Sequence, residues 1–316
     1  MKIVLTGASG FIGSNLLQLF ISKDFYTLAL GRTFTYKTED NEHVAYQRLD
    51  LTDAHLQIGV IEKLNDTPFE VLIHAAGQAH IAQNLETRDQ FINNNVVATT
   101  NALLLAKKTG CQRFIFISSI AVLGDADNIY ANTKGQAEQL VKEYCRSNAM
   151  TYSIIRPVVV YGEDDIKGNM NKLIRQLSRG FFPLFNKGNT RKDILYIGNL
   201  CEVVVRVINS RKWDNMELNI RNNEVLTLRQ TCDIICKALK KQCIFISMPI
   251  MFLNFSIVIL HLVQFFGMLS NLNAKSIQSL IMEVSVDIDE NNSELLRNLP
   301  FTSEESLIRT AKLYDN

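Results

Sequence analysis

A turn between residues 7 and 13 constrains this chain more than any other feature. Lys2–Thr6 reads as a short apolar strand and Phe11–Ser22 as an amphipathic helix, with Gly7, Gly10 and Gly13 spaced at the junction. A strand that turns at once into a helix brings the unpaired N–H groups of the helix start, and its dipole, up to an anion. Gly7 permits the tight turn, Gly10 lets backbone approach a pyrophosphate, and Gly13 lets the helix pack closely on the strand. Phe11 and Ile12, in the first helical turn, belong to the same expected dinucleotide-binding set.

The rhythm that follows gives the fold class. Strand-like runs fall at Lys2–Thr6, Tyr26–Leu30, Val44–Leu49, Val71–Ala75, Arg113–Ser118 and Tyr152–Val160. Helical patterns separate them, including Phe11–Ser22, Asp89–Thr109 and Lys134–Ser147. Strands alternating with helices predict βαβ units, hence an α/β fold of the Rossmann type with a doubly wound parallel sheet. After Gly162 strands become sparse. Residues 1–162 are expected to form the NAD(P)-binding domain, and 163–316 a smaller, partly interleaved C-terminal region for the substrate.

With 33 basic against 32 acidic residues, the chain carries no basic excess of the kind nucleic-acid binders use. Its six cysteines, Cys111, Cys145, Cys201, Cys232, Cys236 and Cys243, form no C-x-x-C pair. They read as small buried hydrophobes in a reducing compartment, with no metal site expected. The first residues read as a strand rather than a signal peptide, so a cytoplasmic location is expected. The apolar stretch Phe252–Leu269 approaches the length of a membrane span, yet contains Asn254, Ser256, His261, Gln264 and Gly267. It is read as a lid or core helix, with weak contact to a membrane surface left open.

Three further segments fit the nucleotide site. An acidic residue at the tip of the second strand would hold the ribose 2′-hydroxyl of NAD; this chain has Leu30-Gly31-Arg32-Thr33 instead. Arg32 can pair with a 2′-phosphate, which favours NADP while NAD stays open. Asp50, followed by Leu51 at the end of the third strand, can accept from the adenine amine. Ala75, Ala76 and Gly77 end the fourth strand with residues small enough for backbone to lie against a cofactor.

The reacting groups come next. Tyr130 and Lys134 stand one helical turn apart on one face. A free phenol has a pKa near ~10, too high to shuttle a proton easily at neutral pH. A neighbouring ammonium and a cationic nicotinamide would both favour the phenolate. The hydroxyl that orients a substrate oxygen is assigned to Ser119, at the end of the fifth strand.

These motifs together resemble the extended short-chain dehydrogenase/reductases of the NAD-dependent epimerase/dehydratase family. The similarity runs through T-G-A-S-G-F-I-G, H-A-A-G, the stretch from Asn95 to Asn101, I-S-S, Y-A-N-T-K and I-R-P-V-V-V-Y-G. The resemblance implies catalysis by Ser119, Tyr130 and Lys134, and cofactor contacts extending to Asn95 and Pro157. It implies a nucleotide-sugar substrate whose diphosphate meets the segment Lys167-Gly168-Asn169 and the pair Arg191 and Lys192. It also implies a homodimer joined through the helices Asp89–Thr109 and Lys134–Ser147. Two departures stand out: only ten residues separate Ser119 from Tyr130, about half the family's usual loop, and Gly198-Asn199 replaces a frequent aspartate.

Three reactions share these residues. A reductase would deliver hydride from NADPH to the C4 ketone of a UDP- or dTDP-linked 4-keto-6-deoxyhexose, for an O-antigen-type surface polysaccharide. A 4-epimerase acting on a UDP-hexose or UDP-N-acetylhexosamine would use the same groups twice with NAD retained. A dehydratase would need carboxylates after the serine, where Ile120-Ala121-Val122 stands. Arg32 favours the reductase. A non-catalytic cofactor-binding scaffold is the alternative outside enzymology, and intact Ser119, Tyr130 and Lys134 argue against it.

Overall fold

The structure, a computed structural model, describes residues 1–33, 42–53, 68–79, 83–124, 127–165, 168–248, 286, 288 and 290–314. These fall into two compact units. One comprises Met1–Val158, Leu200–Ile220 and Ile288–Leu295; the other comprises Val159–Asn199, Arg221–Asp287 and Leu296–Asn316.

The first unit is built on seven parallel strands. They are β1 (Lys2–Thr6), β2 (Tyr26–Gly31), β3 (Val44–Arg48), β4 (Val71–His74), β5 (Arg113–Ile117), β6 (Thr151–Pro157) and β7 (Met216–Ile220). Their order across the sheet is β7-β6-β5-β4-β1-β2-β3, which is the expected Rossmann arrangement. The inner strands are buried on both faces and read as nearly unbroken apolar runs, as in Ile3-Val4-Leu5 and Leu72-Ile73. Connections from β1 run to one side through β2 and β3, then return to β4 on the other side. Thr6 lies level with both Leu30 and His74, so three strand ends meet where the winding reverses. Ligands of such sheets bind at that switch point.

β7 adds a strand that periodicity does not reveal. Met216–Ile220 pairs with β6 from Ser153 to Pro157, and Ser153 Oγ donates to Trp213 O at 2.9 Å just before it. Arg113 donates to the carbonyls of Val207, Ile208 and Ser210 at the end of the helix Ile197–Asn209. The expected strand Tyr152–Val160 divides: β6 ends at Pro157, and Val159–Tyr161 is a separate short strand of the second unit.

Three helices of the first unit position the site. α1 is Phe11–Ser22. α2 is a continuous rod of Arg88–Phe91, a π-helical stretch Ile92–Val97, and Ala98–Lys108. α3 is Ile129–Ser147, five residues longer at its start than the expected Lys134–Ser147, so Tyr130 sits in its first turn. Asn128 begins it by accepting from Ala131 N at 3.0 Å. Ala102, Leu105 and Ala106 of α2 and Ala137 and Val141 of α3 share one core cluster with Leu72, Phe114 and Phe116 of the sheet.

In the second unit, Val159–Tyr161 pairs with Ile194–Tyr196, Phe181–Phe185 with Ile244–Met248, and Arg191–Lys192 antiparallel with Leu226–Thr227. Helices Leu228–Ala238 and Ser303–Lys312 both start with capping boxes, Thr227 with Gln230 and Thr302 with Glu305. Asn199, the departure noted above, is fully buried: its side chain accepts from Phe301 N at 3.1 Å and donates to Asn222 Oδ1 at 3.0 Å. A β-carbon on Gly198 would lie 2.7 Å from the Tyr196 ring and 2.8 Å from that of Phe301.

Phe252–Leu269 and Lys167 lie outside the described residues. Among the described residues no helix is long and apolar enough to cross a membrane. The six cysteines are free thiols, five of them buried.

Phe114 is wholly buried at the centre of β5. Phe114→Ala is expected to cost about 3–5 kcal/mol of stability, seen as a lowered urea midpoint.

Candidate active site

The turn after β1 leaves the first amides of α1 without a side-chain cap. Gly10 is the residue before the helix, and no side chain bonds to its exposed N–H groups. Gly7 adopts a φ of +71°, and a β-carbon there would lie 2.6 Å from Ala76 N and 2.8 Å from the carbonyl carbon of Ala75. A β-carbon on Gly13 would meet Gly7 O at 2.1 Å. The turn therefore packs backbone directly on backbone, and the first amides of α1 have no side-chain cap, an arrangement that suits an anion. These features fit a dinucleotide pyrophosphate.

A cavity of about 150 Å³ opens beside it. Its walls include the expected Gly7, Gly10, Arg32, Asp50, Leu51, Ala75, Ala76 and Gly77, together with Thr52 and Asn94, which the sequence reading did not single out. Arg32 donates to Asn94 Oδ1 at 3.1 Å, which holds the guanidinium at the end of β2. Asp50 accepts from Thr52 N at 2.9 Å and Thr52 Oγ1 at 2.8 Å. Burial acts to raise its pKa, but the Thr52 bonds and the charges of Arg32 and Arg48 outweigh it and hold the carboxyl below its ordinary value. Phe11, Ile12 and Gly13 lie in the first turn of α1 and Pro157 closes β6; none of these four lines the cavity.

The residues expected to react converge on the exit of β5. Ser119 starts a short 3₁₀ turn, and its hydroxyl bonds the Tyr130 phenol. Lys134 is 4% exposed, donates to Ile117 O at 2.8 Å and stands 4.4 Å from the Phe116 ring centroid. Burial lowers its pKa to about 8, with Glu138 opposing. The expectation that Lys134 lowers the Tyr130 pKa needs correction. Burial raises the phenol's pKa, and the Ser119 bond offsets this only in part. Lys134 is not among the influences on the phenol; its ammonium is turned to the Ile117 carbonyl instead.

Asn95 connects this group to the cavity. It lies in the π-helical stretch of α2, a distortion frequent at functional sites. Its side chain accepts from Gln78 N at 2.8 Å and donates to Thr133 Oγ1 at 3.1 Å. Gly77 lies between them: a β-carbon there would be 3.1 Å from Asn95 Oδ1 and 3.4 Å from Lys134 Nζ. Asn169, Arg191 and Lys192 belong to the second unit. Asn169 starts the helix Asn169–Leu177 and is exposed, as is Arg191, whereas Lys192 is half-buried.

A buried relay runs beneath these residues. His74 Nδ1 lies 2.7 Å from Thr6 Oγ1, and its Nε2 lies 3.1 Å from Thr99 Oγ1. Thr99 spends its one hydroxyl proton on Asn95 O at 2.6 Å, so it accepts from His74 Nε2–H, and Thr6 donates to Nδ1. Burial, aided by Lys134, drives the His74 pKa down to about 3, so the ring is neutral. Sequence reading took His74 only as the start of a small-residue run. Its partners lie 68 and 25 residues away.

Known proteins share this fold. The profile of the NAD dependent epimerase/dehydratase family matches residues 3–220. The UDP-glucose 4-epimerase of Vibrio cholerae is 24% identical over 99% of this chain and 95% of its own length. The N-acetyl-alpha-D-glucosaminyl-diphospho-ditrans,octacis-undecaprenol 4-epimerase of Escherichia coli O157:H7 is 28% identical over 64% of this chain and 62% of its own. Among solved structures, UDP-glucose 4-epimerase of Thermotoga maritima with UDP-glucose superposes with a TM-score of 0.76 at 19% identity. That match covers 99% of this chain and 98% of the other.

The relay predicts a pH dependence. The folded state holds His74 neutral to about pH 3, whereas an unfolded histidine takes a proton near ~6.5. Stability contributed by the neutral ring is complete above ~6.5 and falls by about 1.4 kcal/mol per pH unit as pH drops toward 3. Urea unfolding of wild type and His74→Gln between pH 7 and 4 should show that extra slope in wild type alone.

Proposed function

The chain belongs to the NAD dependent epimerase/dehydratase family, and on that footing we propose that it is an NADPH-dependent 4-ketoreductase of a nucleotide-linked 4-keto-6-deoxyhexose. The observation that carries the reading is the end of β2. It presents Arg32, held by Asn94 on the cavity wall, where a carboxylate would select the 2′-hydroxyl of NAD. When bound, the nicotinamide supplies hydride to the sugar carbon.

The chain's own residues supply the rest. The amides at the start of α1 and the Gly7 turn take the pyrophosphate, Arg32 the 2′-phosphate, and Asp50 the adenine amine. Asn95 and Gly77 leave room beside Lys134. Ser119 donates a hydrogen bond to the C4 carbonyl oxygen, drawing electrons from the carbon. As that carbon gains hydride, the Tyr130 O–H bond breaks and its proton passes to the oxygen, so the ketone becomes an alcohol. Lys134, one helical turn on from Tyr130, is assigned the role of favouring the phenolate left behind electrostatically. A phenol raised by burial is protonated at neutral pH, which suits a proton donor better than a base. Asn169, Arg191 and Lys192 are assigned to the nucleotide diphosphate of the substrate. The product is a 6-deoxyhexose nucleotide for surface polysaccharide.

A second reading, a 4-epimerase with retained NAD, is favoured by the names of the relatives, several of which are UDP-sugar 4-epimerases. It uses Tyr130 first as base and then as acid.

Absorbance at the reduced-nicotinamide band separates the two. Purified protein with a UDP- or dTDP-linked 4-keto-6-deoxyhexose should consume NADPH stoichiometrically. No consumption, with NAD carried through purification, would instead establish the epimerase. Arg32→Ser should cut the preference for NADPH over NADH by about 10- to 100-fold, the worth of a charge-assisted bond. Tyr130→Phe should lower kcat by about 10²–10⁴-fold while cofactor binding is kept. Unchanged turnover would remove Tyr130 from the reaction, and no turnover by the wild type on either class of substrate would return the scaffold reading.

A further inference from the structure

Three successive residues at the exit of β5 are gripped by three successive turns of α3. Tyr130 bonds Ser119. One turn on, Lys134 Nζ bonds Ile117 O at 2.8 Å. One turn further, Glu138 Oε1 accepts from Ser118 Oγ at 2.5 Å. The first two rungs involve the groups assigned to the reaction; the third does not. Glu138 is 3% exposed and Ser118 4% exposed, so water does not satisfy either. Arg156 reaches Glu138 from β6 with both arms, Nε to Oε1 at 2.9 Å and a terminal nitrogen to Oε2 at 2.5 Å. Arg156 also meets Glu217 of β7 at 3.3 Å, and Glu217 meets Lys142 at 2.6 Å. A buried carboxylate with this many partners is held in one geometry.

The geometry points to Glu138 as a positioning residue for the reaction: it fixes Ser118, and with it the hydroxyl of Ser119, while presenting negative charge to Lys134 from the next turn of α3. The inference rests on Ser119, Tyr130 and Lys134 being the reacting groups. The short link between Ser119 and Tyr130 gives the position a purpose. With ten residues between them, little loop is available to frame the serine, and the clasp beneath it does that work. Among the described residues, the charged or titratable groups that interact with Lys134 are Glu138 on its own helix and His74 from β4. β5 contributes only the Ile117 carbonyl and the Phe116 ring. His74 is neutral above about pH 3. Glu138 is thus the carboxylate that sustains the ammonium in a site whose burial works against it.

Two variants test this. Glu138→Gln keeps the acceptor for Ser118 but removes the charge and turns an amide NH₂ toward Arg156. With ¹³Cε-lysine labelling, the signal lost in Lys134→Met identifies Lys134, which should titrate near 8 in wild type and about one unit lower in Glu138→Gln. The alkaline fall of kcat should move down by the same interval. Ser118→Ala removes only the rung. It should lower kcat about 10- to 100-fold through a displaced Ser119, leave KM for the nucleotide sugar within about two-fold, and leave the Lys134 titration in place. An unmoved Lys134 titration in Glu138→Gln, or wild-type kcat in Ser118→Ala, overturns the assignment. If Glu138→Gln does not fold, Ser118→Ala decides it alone. Full activity in Tyr130→Phe would instead overturn the reading of the reacting groups on which the inference rests.

Discussion

The backbone at Gly7 lies against the backbone of Ala75 and Ala76 with no space for a single added carbon. That contact draws the ends of β1 and β4 together at the point where the sheet reverses its winding. It also sets the height of the loop that continues to Gly77. Gly77 then lies close to Asn95 and the Lys134 ammonium, so the Gly7 turn and α3 are referred to one another through a few ångströms of backbone. Close packing makes such a chain of contacts stiff: each member has one place to be. The relay from Thr6 through His74 and Thr99 to Asn95 and Thr133 runs along the same path with hydrogen bonds.

Burial decides the electrostatics of the site. It raises the Tyr130 phenol, lowers Lys134 to about 8 and removes the charge from His74 altogether. Groups held by geometry oppose it: Glu138 for Lys134, Ser119 for Tyr130 and, at the cavity, the Thr52 hydrogen bonds with Arg32 and Arg48 for Asp50. A dry, fixed polar site of this kind has its dipoles in place before the reaction begins, so little reorganisation is left for the chemical step.

Much of this was legible in the sequence because the signals are local. The turn at Gly7, Gly10 and Gly13 sits within seven residues, and Tyr130 and Lys134 are one helical turn apart. The strands β1, β2, β4 and β5 read as apolar runs because the inner strands of a parallel sheet are buried on both faces. What escaped depends on distant partners. β7 is five residues whose strand character comes from pairing with β6. His74 looks like any apolar-strand histidine until Thr6 and Thr99 close on it. Glu138 falls within an ordinary amphipathic helix, and nothing near it in sequence announces Ser118 or Arg156. Arg32 was visible, but its partner Asn94 becomes one only because the start of α2 returns to the end of β2.

The direction of hydride transfer is the central claim, and an isotope label tests it most directly. NADPH deuterated at the transferring position of the nicotinamide is incubated with the protein and a nucleotide-linked 4-keto-6-deoxyhexose, and the sugar is examined by NMR. The account requires deuterium at C4 of the product, one atom per NADPH consumed. A sugar without deuterium at C4, with the label still on the nicotinamide, would contradict it.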